Sequence, residues 1–301
     1  MNQSCHLVPI NLSDCSQLES MVEHRRVFNL KDCELNIFET FHRCDNVHLS
    51  YNGLVVSSMM RGKKIMTLAE SPEFDFLPGE SVILPEGVSM KVDFPDADER
   101  HPVQCATLAL DWNMVNKNLE FLNQYYPNSE APFEWKLNFG RYHFLNNKEL
   151  AGSISKLISI SMEESVAKDA LADLSLKFLL LRIIQTQNLA LIQETPLPEH
   201  YHLSPAVQYI KDHLAEKISM DKLASESCMS RSVFFQAFKT QLGVSPLEYV
   251  QRERIRKAKD ILADTKVSIT DVCYQTGFNN LNYFIKLFKR MEGVTPSAYR
   301  K

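Results

Sequence analysis

The chain has 301 residues, a length that suits two domains. Hydrophobic residues make up 45% and charged residues 23%, which excludes disorder as the dominant state. No apolar run approaches the roughly 18 residues a membrane helix needs, and the net charge of −4 hides two segments of opposite sign. Residues 1–200 hold 17 Lys and Arg against 27 Asp and Glu, a net of −10. Residues 201–301 hold 16 against 10, a net of +6, so only the C-terminal segment is suited to a polyanion.

The stretch Met1–Ser20 carries no Lys or Arg and is interrupted by Pro9, Asp14 and Glu19. It does not read as a signal peptide, and the expected setting is cytoplasmic, with no membrane partner. The seven cysteines, Cys5, Cys15, Cys33, Cys44, Cys105, Cys228 and Cys273, form no C-x-x-C pair and no zinc-ligand spacing. Free, mostly buried thiols are expected. A redox or metal sensor built from Cys5, Cys15, Cys33 and Cys44 is the alternative.

Residues 30–112 alternate short β-rich runs (Leu54–Val56, Ile65–Leu68, Ser81–Leu84) with Gly and Pro, the pattern of an all-β barrel or sandwich. Arg61, Lys63 and Lys64 read as a solvated strand end, with an anion contact as the alternative, and His101 reads as part of a surface loop. Two helical stretches follow, Lys148–Glu164 and Lys168–Ile192. The second places Leu171, Leu174, Phe178, Leu181 and Ile184 at three- and four-residue steps, an apolar stripe expected to pair two copies of the chain. Gln193–His200, with two prolines, reads as a linker.

The last hundred residues repeat themselves. At an offset of 50, Phe234, Phe238, Lys239, Gly243, Val244, Pro246 and Tyr249 recur as Phe284, Phe288, Lys289, Gly293, Val294, Pro296 and Tyr299. Upstream the offset is 49, pairing Ser219 with Ser268 and Ala224 with Cys273, so the second copy gains one residue near Gly277 and Phe278. Each copy reads as helix, tight turn, helix, the helix-turn-helix unit. Ser219, Ser230, Ser268 and Asn280 are the expected N-caps, and Gly243 and Gly293 the expected C-terminal stops. Ser245 and Thr295, each before a proline, start a further helix. Phe234, Ala237, Phe238 and Leu242, and Phe284, Leu287, Phe288 and Met291, form the two core stripes. The other faces carry side chains able to meet phosphates and base edges. Phe235 suits either a thymine methyl or the core. A helix over Ser245–Thr265, about 20 residues and so about 30 Å long, joins the copies and carries Arg252, Arg254, Arg256, Lys257 and Lys259. Neighbouring major-groove faces lie about 34 Å apart.

The run Gly277, Phe278, Tyr283, Phe284, Phe288, Lys289 and Gly293–Arg300 resembles the signature of the AraC/XylS family of bacterial transcription regulators. Ser230, Phe234, Phe238, Lys239, Gly243, Pro246, Tyr249, Arg252 and Arg256 match it in the first copy. The resemblance covers residues 203–301 and implies seven helices with two DNA-binding helix-turn-helix units. It implies base-reading positions at Arg231, Ser232, Phe235 and Gln236, and at Leu281, Asn282, Ile285 and Lys286. Phosphate contacts are expected from Lys239, Arg252, Arg256 and Lys289. Leu281 and Ile285 suit apolar contacts, and Lys286 stands where many members carry Arg.

Gly79–Met90 matches the spacing of the second cupin motif, with Met90 at the metal-ligand position, and no H-x-H pair lies near His42 or His48. This part also resembles the N-terminal sensor domain of a subset of AraC-type regulators, which implies a jelly-roll barrel that binds an effector or dimerises. The expected organisation is α+β and multidomain. It comprises a cupin-like β-barrel sensor domain (1–145), a helical dimerisation segment (146–192), a linker (193–202) and an all-α DNA-binding domain (203–301). The expected function is transcription regulation, in the activating sense, by a homodimer. The partners are double-stranded DNA, a small-molecule effector and RNA polymerase, with no cofactor, no metal and no catalysis. Two alternatives remain: a constitutive DNA-binding protein whose barrel only dimerises, and a cupin enzyme fused to a DNA-binding domain.

Overall fold

The structure, a computed structural model, describes residues 5–13, 23–69, 71–127, 134–192 and 202–300. The chain divides into two compact units, Met1–His202 with Gln241–Gly243, and Leu203–Thr240 with Val244–Lys301. Of the expected linker, only His202 lies within the described residues, and Cys15 lies outside them.

The first unit begins with β1 (His24–Leu30), β2 (Cys33–Thr40), β3 (Cys44–Leu49), β4 (Leu54–Arg61) and β5 (Lys64–Leu68). Next come β6 (Phe74–Phe76), β7 (Glu80–Leu84), β8 (Met90–Phe94) and β9 (Val103–Leu110). Then follow α1 (Trp112–Tyr125), β10 (His143–Leu145), α2 (Lys148–Ser161) and α3 (Lys168–Ile192). The strands form a six-stranded sheet, ordered β1-β2-β9-β4-β7-β10, and a four-stranded sheet, ordered β3-β8-β5-β6. The expected barrel therefore takes the form of two sheets packed face to face rather than one sheet closed on itself.

Alternation along the strands explains the layering. Met59, Val82, Leu84, Val103 and Cys105 face Met66, Leu68, Phe76, Met90, Val92 and Phe94 across the sandwich. The opposite face of the larger sheet, through Leu35, Ile37, Leu54, Val56, Ile83 and Leu108, packs on Leu150, Ile154 and Leu157 of α2 and Leu176, Leu179 and Ile183 of α3. With both faces covered, β4 is buried from Leu54 to Met60, which is why its apolar residues do not alternate with exposed ones and its Ser57 and Ser58 are buried too.

Three expectations need correction. Lys63 and Lys64 are not at a solvated strand end, being 3% and 5% exposed. The pleat of β5 turns Lys64, Met66 and Leu68 inward together. Lys64 Nζ lies 3.3 Å from Glu23 and 3.0 Å from Cys105 Sγ, and Lys63 Nζ lies 3.8 Å from both Asp75 and Asp96. On α3, Ile184 departs from the expected pairing stripe by lying in the core, whereas Leu171, Leu174 and Phe178 are exposed as that stripe requires, and the buried side runs through Ala172, Leu176, Leu179, Leu180 and Ile183. Third, α1 was not foreseen; Asp111 caps it by accepting from the Asn113 and Met114 amides.

The segment before β1 is held by one buried carboxylate. Gln104 exchanges two hydrogen bonds with the backbone of Ile10, at 3.0 and 3.2 Å, and donates to Glu39 at 2.9 Å. Glu39, 0% exposed, also accepts from Ser13 and from the Arg26 guanidinium. Burial pushes its carboxyl up, but the hydrogen bonds from Ser13, Gln104 and His24 and the Arg26 charge outweigh it, and the net shift is downward. Because the folded carboxyl titrates below its ordinary value of 4.5, its contribution is complete above that value and is lost as pH falls through the folded one. Glu39→Gln should therefore cost about 2 kcal/mol near neutrality, and the gap from wild type should close as urea unfolding is repeated at falling pH. A gap that stays constant with pH would contradict this role.

Candidate nucleic-acid interface

The second unit contains α4 (Ser204–Asp212), α5 (Met220–Glu226), α6 (Arg231–Leu242), α7 (Pro246–Leu262), α8 (Ile269–Gln275), α9 (Leu281–Glu292) and α10 (Pro296–Tyr299). These are the seven helices the family resemblance implies. α6 and α9 have the bounds expected from sequence, because their limits are set locally. Asn280 caps α9 by accepting from the Tyr283 amide at 2.9 Å, and Gly293 closes it at φ +78°. Ser268, Ser245 and Thr295 cap their helices in the same way, whereas Ser219 precedes α5 without a side-chain cap bond. The connecting helix α7 is shorter than expected. It has 17 residues and so is about 25 Å long. It ends at Leu262 because Asp264 accepts the Lys266 amide and turns the chain.

The two turns are built alike. Met229 N–H reaches back to the Ala224 carbonyl at 2.9 Å, and Phe278 N–H to that of Cys273 at 3.0 Å, the long bond of a Schellman motif. The left-handed residue is Cys228 (φ +52°) in the first copy and Gly277 (φ +84°) in the second. From there the second copy takes one more residue, Asn279, before its cap.

The core stripes also superpose in kind. Phe234 and Phe238 lie 5.3 Å apart, and Phe238 meets Tyr249 at 5.4 Å; Phe284, Phe288 and Tyr299 repeat this at 5.9 and 5.4 Å. With these rings inside, the opposite faces of α6 and α9 are left to solvent. Arg231, Ser232, Gln236 and Lys239 are exposed on α6, and Asn282, Lys286 and Lys289 on α9. Phe235 is partly buried, edge-on to Phe234, with the Arg231 guanidinium 5.8 Å from its ring. Leu281 and Ile285 are partly buried against the core of the second copy. Sequence reasoning passed over Arg290, exposed in the last turn of α9 beside Lys289, where cations favour the helix terminus.

Several of the cations are already paired. Arg231 lies 3.2 Å from Asp221 of α5. On α7, Arg252 pairs with Glu248 at 2.9 Å and Arg256 with Glu253 at 2.6 Å, while Lys259 meets Glu292 of α9 at 2.9 Å. Gln251 donates to the Tyr283 hydroxyl at 2.8 Å, tying the face of α9 to α7. Lys239, Lys286, Lys289 and Arg290 are exposed on the outward faces of α6 and α9.

No group of three or more His, Cys, Asp or Glu able to hold a metal occurs among the described residues. Met90, at the position of the cupin metal ligand, packs in the sandwich core. The six described cysteines are free. Burial, then the charges of Asp32 and Glu34, pushes the Cys33 thiol up to about 12. Burial, then Glu23 and Asp45, pushes that of Cys44 up to about 11. Both favour the protonated, unreactive form. No described helix is long and apolar enough to cross a membrane.

The unequal turns give a direct stability test. Cys228 holds a conformation that costs a side-chain-bearing residue about 1 kcal/mol or more. Cys228→Gly should stabilise the second unit by about 1 kcal/mol in urea unfolding. An unchanged or lowered midpoint would contradict the turn assignment.

With this geometry in place, the comparisons with known proteins are specific. A helix-turn-helix domain model matches residues 223–301, and the model of the AraC-type transcriptional regulator N-terminus matches residues 33–191. The probable transcriptional regulator LumQ of Photobacterium leiognathi is 30% identical over 54% of this chain and 64% of its own. The transcriptional activator RhaS of Escherichia coli is 25% identical over 54% of this chain and 59% of its own. The chain thus spans less than two thirds of the length of each. Among solved structures, the DNA-binding domain of AdpA, in complex with a target DNA, is 30% identical with a TM-score of 0.31. It covers 33% of this chain and 88% of its own. ToxT of Vibrio cholerae, bound to an unsaturated fatty acid, is 13% identical with a TM-score of 0.37. It covers 90% of this chain and 96% of its own. With one family model spanning more than half of the chain and a second lying on its paired helix-turn-helix units, the chain belongs to the AraC/XylS family of DNA-binding transcription regulators.

Proposed function

We propose that the chain is a sequence-specific regulator that reads duplex DNA with α6 and α9 together and responds to a small-molecule effector through its N-terminal unit. The observation that carries the reading is the repeated Phe-Phe-Tyr core, which turns the equivalent faces of α6 and α9 outward. On those faces Gln236 and Asn282 suit bidentate contacts to adenine, Arg231 and Lys286 suit guanine, and Ser232 suits either purine. Phe235, Leu281 and Ile285 suit thymine methyls. Lys239 and Lys289, equivalent in the repeat, suit phosphates, with Arg252 and Arg256 contributing once they exchange their glutamate partners for the backbone. The inner face of the sandwich supports an effector role. There Ser57 bonds Thr107 at 2.9 Å, and Tyr51 and Lys64 add polar groups to an otherwise apolar packed layer. Recruitment of RNA polymerase would make such a regulator an activator.

Full-length protein should bind a promoter-derived duplex with affinity that falls steeply as salt rises. Lys239→Ala and Lys289→Ala should weaken binding to all sequences alike and lower the salt slope by about 1 each. Gln236→Ala and Asn282→Ala should cost about 1–3 kcal/mol at the cognate base and relax selection there. Salt-independent binding, or sequence preference lost through the lysines instead, would contradict the assignment of faces.

The same reading includes a homodimer. Leu174 and Phe178, 64% and 47% exposed, line a groove between α2 and α3 together with Leu171, Gly152 and Lys156. The exposed Leu171, Leu174 and Phe178 on the α3 side of this groove support burial against a second copy, and two chains on one DNA gain affinity through effective concentration. In sedimentation, the wild type should be a dimer at micromolar concentration, and Leu174→Glu with Phe178→Glu should be a folded monomer. A monomeric wild type or a dimeric double variant would contradict it.

A further inference from the structure

Arg254 points away from the outward faces of α6 and α9. It projects from the middle of α7 and is partly buried. Its Nε donates to the Leu214 carbonyl at 2.9 Å and its Nη2 to the Glu216 carbonyl at 2.7 Å. Both carbonyls belong to the turn after α4, in the first half of the unit. The guanidinium also lies 5.7 Å from the ring of Phe278, in the α8–α9 turn of the second copy. Next to it, Gly277 approaches so closely that a Cβ there would lie 2.2 Å from the Leu214 oxygen and 2.9 Å from the Arg254 guanidinium. Three segments remote in sequence therefore converge on one side chain: the α4–α5 turn, the middle of α7, and the turn that aims α9. A planar fork donating to two carbonyls fixes direction as well as distance, which a lysine cannot do.

We infer that Arg254 is a positioning residue that locks the second helix-turn-helix against the first and so sets the spacing at which the two recognition helices read DNA. Without the clamp, α9 would be held to the first half only through α7, by their shared core, the Gln251–Tyr283 bond and the Lys259–Glu292 pair. With it, the two reading heads form one rigid gauge. Inserting one base pair between two sub-sites rotates the second by about 34° and moves it about 3.4 Å, a change a rigid gauge cannot follow. The inference rests on the proposal that both copies engage DNA.

The test is selection of binding sites by the full-length protein from a pool of duplexes with a randomised centre. Wild type should select two sub-sites per bound chain at one fixed separation. Arg254→Ala should select the same two sub-sites with their separation spread over several base pairs. Arg254→Lys keeps the charge and the alkyl stem but not the fork, and should fold as wild type while leaving the spacing equally broad. In competition between the selected duplex and one lengthened by a base pair, wild type should discriminate about tenfold and Arg254→Lys less than about twofold. A merely structural role would lower the yield of bound DNA without changing the spacing. Wild-type spacing in the Arg254→Lys variant, or loss of both sub-sites together, would overturn the inference. A wild type that selects a single sub-site would instead remove the two-headed reading on which it rests.

Discussion

Two phenylalanines four residues apart and a tyrosine eleven residues beyond the second must come together in each half of the C-terminal unit, and most of its architecture follows from that packing. Rings at positions i and i+4 share one face of a helix. Burying them fixes which face of α6 or α9 points inward. The tyrosine brings back the next helix, α7 or α10, so that α6 and α9 are each backed from behind. The faces that remain carry Gln, Asn, Arg, Ser and Lys because nothing in the core demands otherwise. The outward surface of α6 and α9 is thus a consequence of core packing, and its chemistry is free to vary from one copy to the other, as Gln236 and Lys286 do at equivalent positions.

In the N-terminal unit the constraint is double coverage of the six-stranded sheet. Helices cover one face and the second sheet the other, so strands such as β4 have no solvent side. Polar side chains in these layers must find partners inside. Ser57 finds Thr107, Ser58 finds Ser81, and Lys64 finds Glu23 and Cys105. Glu39 gathers the segment before β1 in the same manner. Ser57, Thr107 and Lys64 lie on the side that meets the other sheet, whereas Ser58 and Ser81 lie on the side covered by the helices.

Features written in adjacent residues were legible in the sequence; features that depend on remote partners were not. The bounds of α9 follow from Asn280 and Gly293, and the end of α6 from Gly243 at φ +78°, within a few residues of the ends they set. The two copies were visible because an offset of 50 preserves the Phe, Gly, Pro and Tyr that the packing requires. By contrast, Lys63 and Lys64 read as surface because their partners Asp75, Asp96, Glu23 and Cys105 lie on other strands. The apolar residues of α3 run round the helix, so periodicity alone could not choose between Leu174 and Leu176 for the core. α1 buries only Met114 and Val115 and so left a weak pattern. Arg254 was one cation among several on α7. Its partners are backbone carbonyls about forty residues upstream, which carry no side-chain signature.

The central claim is that a single chain applies two recognition helices to one face of a duplex. Hydroxyl-radical footprinting of the full-length protein on a DNA carrying one selected site tests it most directly. The account predicts two protected tracts per chain, separated by about one helical turn, 10–10.5 base pairs, with Asn282→Ala weakening the one and Gln236→Ala the other. A single protected tract per chain, or two tracts that respond together to either substitution, would contradict it.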